Sequence, residues 1–331
     1  MSQPLPLLPD SGPRLVGIAR LASHSESVRQ GHEVEYFTLQ SRSLLNRCVS
    51  KRQMPFTWTI NPYRGCEFAC RYCYARYTHE FMEIRDNLEF ERKIYAKQHA
   101  ADLLRQELRR VNPGEAIAIG TATDPYQPIE KKLEITRAIL QEFSRHSGFD
   151  LGIVTKSAMI VRDIDLLQEI AQRNRISVNF TVTTTDPDLA RILEPRAPRP
   201  DLRLEALRRL RGAGVRAGVI CAPVLPGITD SPPQLESVVR AAASAKAIYI
   251  YANSLFLKPC SASVFLPFLK EHFPKLVPEY ERRFNDRAFL PAPYRKRISE
   301  LIAKLRAKYR FQEERWTKPA LNSTGEQLPL F

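Results

Sequence analysis

From Phe56 onward, short apolar blocks alternate with longer amphipathic stretches. The segments 57–63 (TWTINPY), 116–123 (AIAIGTAT), 151–157 (LGIVTKS), 176–185 (ISVNFTVTTT), 215–225 (VRAGVICAPVL) and 247–256 (AIYIYANSLF) are brief and rich in β-branched or aromatic residues, so they read as strands. Between them, 90–111, 131–146, 160–174, 201–214 and 231–245 repeat their apolar positions with helical spacing. Six strands alternating with helices imply parallel pairing through right-handed crossovers. Six units fall short of a closed eight-unit barrel, and the expected fold is α/β, a partial (β/α)6 TIM-like barrel with function gathered at the strand ends.

The flanks have a different texture. Residues 1–55 carry Pro and Ser with weak periodicity and read as an N-terminal extension wrapped on the 56–260 core. The 261–316 region reads as a helical, basic extension. Within YRKRISELIAKLRAKYR (294–310), Ile298, Leu301, Ile302 and Leu305 share one helix face, with Arg297, Lys304 and Lys308 turned away from it. Residues 317–331 read as a polar tail.

Composition narrows the setting. The chain has 331 residues, 44% of them hydrophobic, enough for a real core. It has neither an apolar run of membrane-spanning length nor a signal peptide's charged-then-apolar order. Six cysteines in such a length do not suggest a disulfide scaffold, so a reduced, cytoplasmic setting without membrane association is expected. Lys and Arg exceed Asp and Glu by 50 − 36 = 14, an excess that attracts polyanions and points to nucleic acid.

Three of the cysteines fall in one short loop, GCEFACRYCYAR, as Cys66, Cys70 and Cys73. Structural zinc closes with four ligands, and Cys48, Cys221 and Cys260 lie far off in the sequence. His79 is the nearest candidate fourth ligand for a Cys3His zinc site. A four-iron cube held by three thiolates instead keeps one iron open to an exogenous ligand.

The spacing Cys66-x-x-x-Cys70-x-Tyr72-Cys73, directly after a first strand, resembles the signature of the radical S-adenosylmethionine (SAM) superfamily. NPYRGCEFACRYCYAR, GTATDPYQPIE, VTKS, EPRAPRPDLRLEALRRLRGAG and CAPVLPGITD resemble its spore photolyase-like branch, and within that the "DNA repair photolyase"-type proteins. The resemblance implies a [4Fe-4S] cluster on Cys66, Cys70 and Cys73, with SAM chelated at the open iron. It also implies an external one-electron reductant and release of methionine and a 5′-deoxyadenosyl radical. By position, Thr123 and Asp124 match residues near the SAM amino group, and Lys156 matches the partner of its carboxylate. Thr181, Thr183 and Glu194 are further candidates for that pocket.

The match has one departure. Lesion-repairing relatives carry a hydrogen-donating cysteine at the end of the second strand, where this chain has Thr121, and an O–H bond is too strong to donate its hydrogen readily. Tyr72 and Tyr74 match the two tyrosines that accompany the donor, while Cys221 and Cys260 are alternative thiols. The function expected is a radical SAM enzyme acting on nucleic acid, in DNA repair or modification. Its rivals are the same chemistry on a protein or small molecule, and a non-catalytic, metal-stabilised nucleic-acid-binding protein.

The chain ends in QLPLF, and Gln327, Leu328, Leu330 and Phe331 resemble the peptide by which bacterial repair proteins dock on the DNA sliding clamp. Pro329 keeps the segment extended, so the apolar side chains can enter a pocket while Gln327 hydrogen-bonds.

Overall fold

Residues 15–31, 33–49, 54–285 and 287–311 are described in the structure, a computed structural model. Six parallel strands form the main sheet: β4 (Trp58–Ile60), β7 (Ala116–Ile119), β8 (Asp150–Thr155), β9 (Arg175–Thr181), β10 (Ala217–Val224) and β11 (Ile250–Ser254). They lie side by side in chain order, and β3 (Leu45–Arg47) adds an antiparallel edge to β4. The sheet is thus the open partial barrel expected from the alternation. Its register runs level: Ile60 is opposite Ile119, Ile119 opposite Ile153, and Val219 opposite both Phe180 and Ile250. All of these side chains are buried and, lying opposite one another, they line one continuous face of the sheet.

A second sheet departs from the sequence expectation. β1 (Ser27–Gly31), β2 (Val34–Leu39), β5 (Tyr63–Arg64) and β6 (Lys93–Lys97) assemble in the order β1-β2-β6-β5. The segment 90–111, expected as one helix, divides into the end of helix Glu89–Arg92, strand β6 and helix Ala100–Leu108. β6 pairs in parallel with β2 and antiparallel with β5, and buries Ile94, Tyr95, Ala96 and Lys97. Partners distant in sequence override a local pattern that suited helix equally well. His99, in the left-handed region, turns the chain into the following helix.

The helix expected over 131–146 is also broken, at Glu134, which adopts φ 51°. The cause lies one turn earlier, where the buried Glu130 carboxylate accepts the backbone N–H groups of Thr136 (3.0 Å) and Arg137 (3.2 Å). It thereby caps the second helix segment, Ile135–Ser144.

At the C-terminal side, helix Ala292–Lys308 docks against β11 and helix Pro232–Ser244 through Ile298, Ile302 and Leu305, with Leu301 partly buried beside them. Its cationic exterior is not wholly unpaired. Arg297 meets Asp230 at 3.3 Å and Lys308 meets Glu236 at 2.6 Å. Among the described residues, no helix is long and apolar enough to cross a membrane.

Candidate active site at the strand ends

The cysteine loop leaves β4 through β5 and is pinned through its backbone. Gly65 has φ +82°, and a Cβ there would come within 2.7 Å of the Lys93 carbonyl oxygen and 2.8 Å of that of Phe90. That close approach lets the Cys66 N–H donate to the Phe90 carbonyl at 3.0 Å. The Thr123 hydroxyl donates to the Gly65 carbonyl at 2.6 Å, and the Gln127 amide donates to the same oxygen at 3.3 Å. The Gln127 oxygen in turn accepts the Glu67 N–H at 3.0 Å. Gly65→Ala combines left-handed strain with a backbone clash. We expect it to cost about 2–4 kcal/mol, read from denaturant unfolding of the cluster-free protein.

The rest of the loop is held as firmly. Arg76, fully buried, donates to the Cys70 carbonyl (3.1 Å) and pairs with Glu91. The Ser261 hydroxyl donates to the Cys73 carbonyl at 3.0 Å, and the Cys73 N–H donates to that of Cys70 at 3.1 Å. Burial pushes the Cys70 thiol up to about 12, with the Lys156 ammonium pulling the other way and Glu194 and Cys73 adding to the rise. Burial also raises Cys66, as do Asp124, Cys70 and Cys73 in turn. The three thiols are therefore close enough to feel one another's charge. Among the described residues, no three His, Cys, Asp or Glu side chains gather as ligands of a single metal ion. Three thiols spread along one loop are a donor set suited to a multi-iron cluster, in which each thiolate binds a different iron.

His79 does not complete a zinc site. Its Nε2 lies 3.0 Å from the Lys93 carbonyl, and its ring packs against Phe90 and Tyr95. Burial lowers it to about 4. Because the folded state resists protonation, stability contributed by this group is present above pH 6.5 and is lost as pH falls from 6.5 toward 4. The expected loss is about 3 kcal/mol. His79→Gln should flatten that part of the pH–stability curve, which chemical denaturation at several pH values would read.

Beyond the loop, the ends of β7, β8 and β9 converge. The buried Asp124 carboxylate accepts the Thr155 hydroxyl (2.7 Å), the Tyr126 N–H (2.9 Å) and the Lys156 N–H (2.7 Å). Asp124 thus ties the loop after β7 to the end of β8 and fixes where Lys156 starts. The Lys156 ammonium sits 4.0 Å from Glu194 and 5.8 Å from the Tyr72 ring centre. Glu194 is buried and receives the Arg203 guanidinium, the Tyr72 hydroxyl and the Thr183 hydroxyl, the last at 3.3 Å. Burial works to raise its pKa, but Arg203 and Lys156 hold it below the usual carboxylate range. Thr181 joins through its carbonyl, which accepts Arg203 at 3.0 Å.

The structure thus brings Thr123, Asp124, Lys156, Thr181, Thr183, Glu194 and Tyr72 around the cysteine loop. Tyr74 lies on its outer side and donates to the Thr121 carbonyl. Cys221 is fully buried in β10, one residue before the Ala222 carbonyl that accepts the Thr183 hydroxyl (3.0 Å), and burial alone lifts its thiol to about 12. That is the setting of an unreactive core cysteine. Cys260 is buried at the start of helix Pro259–His272, its sulfur 3.8 Å from the Ser261 hydroxyl.

The description of the radical SAM superfamily fits residues 60–235. The chain belongs to that superfamily. The radical SAM family uses a [4Fe-4S] cluster and SAM, and its members require an external reductant. An uncharacterized protein of Mycobacterium tuberculosis is 36% identical over 278 residues, 84% of this chain and 82% of that one. Another, from Methanocaldococcus jannaschii, is 26% identical over 251 residues, covering 76% and 86%. Among solved structures, a spore photoproduct lyase variant with AdoMet and dinucleoside spore photoproduct bound superposes with a TM-score of 0.62. That match covers 83% of this chain and 79% of that one at 14% identity, a likeness of fold. Arg203, Gln127 and the Arg76–Glu91 pair escape a sequence reading because each acts on another site residue or on the loop backbone. The available signal was the presence of Arg203, Gln127 and Arg76 inside matching blocks.

Proposed function

We propose that this radical SAM chain holds its [4Fe-4S] cluster on Cys66, Cys70 and Cys73 and acts on nucleic acid, in repair or modification. The observation that carries the reading is the convergence of the three-thiol loop with Lys156 and Glu194 at the strand ends. When bound, cluster and SAM together supply reductive cleavage to methionine and a 5′-deoxyadenosyl radical.

The chain's own residues would bind and orient. The Lys156 ammonium would take the SAM carboxylate, a site where a point charge suits an anion. Asp124 would act by position, because its oxygens already accept Thr155, Tyr126 and Lys156 donors. Thr123 likewise holds Gly65, and so sets the entry to the loop. Tyr72 and Thr183 would fix the Glu194 carboxylate beside the bound amino acid moiety. Support for a nucleic-acid substrate comes from the charge excess of 50 − 36 = 14.

The test is anaerobic reconstitution followed by quantification of 5′-deoxyadenosine with damaged DNA, undamaged DNA, RNA or nothing added. Stimulation by one nucleic acid is expected. Bound zinc, or a cluster giving no 5′-deoxyadenosine, would overturn the enzyme assignment. Cleavage indifferent to every nucleic acid would move the substrate to a protein or small molecule.

The QLPLF segment lies outside the described residues. We propose it as a sliding-clamp anchor of about micromolar affinity, or about −8 kcal/mol. Deleting Gln327 to Phe331 should abolish clamp pull-down, and unchanged retention would reject the anchor.

A further inference from the structure

Beside the cysteine loop runs a row of aromatic rings that the chemistry above does not use. Tyr74 follows Cys73, is 39% exposed, and has its ring centre 6.0 Å from that of Phe256. Phe256 stacks on Phe289 at 4.2 Å. On the other side, the Lys258 ammonium lies 5.9 Å from Phe256 and only 3.7 Å from the Tyr77 ring centre. Tyr77 meets Phe81 edge-on at 5.8 Å, and Phe81 is 58% exposed. A soluble surface rarely leaves such rings open unless something covers them.

Cations back this row. Arg64, on β5, lies close enough to Tyr77 for their charges to interact, and donates weakly to the Thr78 carbonyl at 3.4 Å. Lys97, at the end of β6, is 97% buried beside Arg64 (3% exposed). Burial first, and then Arg64, lower Lys97 to about 7. Among the described residues no carboxylate forms an ion pair with Lys97. Glu107, whose charge reaches it, is occupied by the N–H groups of Leu44 (3.0 Å) and Leu45 (2.8 Å). The Arg64 Nε is buried without a partner. Lys97 is enclosed and out of a ligand's reach, so the cations left to meet an anion are Arg64, beside Tyr77, and Lys258.

We propose that Tyr74, Phe256, Tyr77 and Phe81, with Lys258 among them and Arg64 behind, form a binding ledge for an unpaired nucleic-acid strand. Bases stack on the rings and phosphate meets the cations. Ring faces accept any base, and an interleaved ammonium adds charge complementarity that a purely apolar partner would not use. A stacked duplex hides its base faces, so the ledge selects single strands or extruded bases. The inference deepens the nucleic-acid reading and rests on it, because it states in which form the substrate is taken.

The test uses the reconstituted, SAM-bound protein and fluorescence anisotropy with a labelled 12-nucleotide DNA strand, its duplex, and the matching RNA strand. Single strands should bind at least about 10-fold tighter than duplex, and the tighter of DNA and RNA identifies the sugar. Phe81→Ala should weaken single-strand binding by about 5–100-fold, the loss of one stacked base. Lys258→Gln should weaken it and reduce the salt slope by about one counterion. Thermal melting confirms that both variants fold. Equal or tighter duplex binding, or unchanged affinity in both folded variants, would overturn the ledge even where nucleic acid stimulates SAM cleavage. Indifference of SAM cleavage to all nucleic acids removes instead the reading beneath it.

Discussion

Replacing Cys66, Cys70 or Cys73 by alanine, one at a time, should abolish 5′-deoxyadenosine formation, a loss of at least about 1,000-fold, or about 4 kcal/mol of barrier. Three thiolates on one loop leave no reserve ligand. Cys221 and Cys260 are buried in other elements, and His79 is turned to the Lys93 carbonyl. The same variants should keep their fold. The loop is held through its backbone by Phe90, Thr123, Gln127, Arg76 and Ser261, none of which needs the sulfurs. A buried cysteine reduced to alanine should cost about 1–2 kcal/mol in the cluster-free protein. Near-native melting of the apo variants, with loss of the broad iron–sulfur absorbance, separates a cofactor ligand from a structural metal site. Collapse of the fold on loss of any one cysteine would favour the non-catalytic, metal-stabilised reading.

Legibility in the sequence followed the range of the forces involved. β7, β8, β9 and β10 were visible because each sets apolar residues at alternate positions along one continuous buried face. The cysteine spacing and the VTKS and GTATD blocks were visible because their chemistry is local. β6 was hidden because KIYAK suits either helix or strand, and only its pairing with β2 and β5 decides. The break at Glu134 was hidden for a related reason. Glu130 caps the next helix only because Tyr63 and Arg162, from elsewhere in the chain, hold it in place. Arg203 was unreadable as a site residue, since a guanidinium at that position looks like any helix-surface cation until Glu194 is found opposite it.

Glu194 is where fold and chemistry meet, and its replacement should reveal both. In Glu194→Gln the shape is kept, but the buried Arg203 loses its counter-charge, and so does Lys156. Removing one member of a buried pair costs about 3–5 kcal/mol, because the desolvated partner is left uncompensated. For a chain of this size that means a fall in melting temperature of about 4–7 °C. The paired replacement Glu194→Met with Arg203→Met removes both charges, and apolar substitutes for a whole buried pair are often neutral, so much of the stability should return. SAM binding should not return with it, because the carboxylate proposed to lie beside the bound amino acid moiety is gone. Lys156→Met gives the complementary result. Its side chain is 15% exposed and outside the Arg203 pair, so melting should move little. SAM affinity should weaken by about 10–100-fold, the loss of one charge-assisted contact. A Lys156→Met protein that binds SAM normally would remove this lysine from the pocket. A double-Met protein that binds it normally would confine Glu194 to the fold.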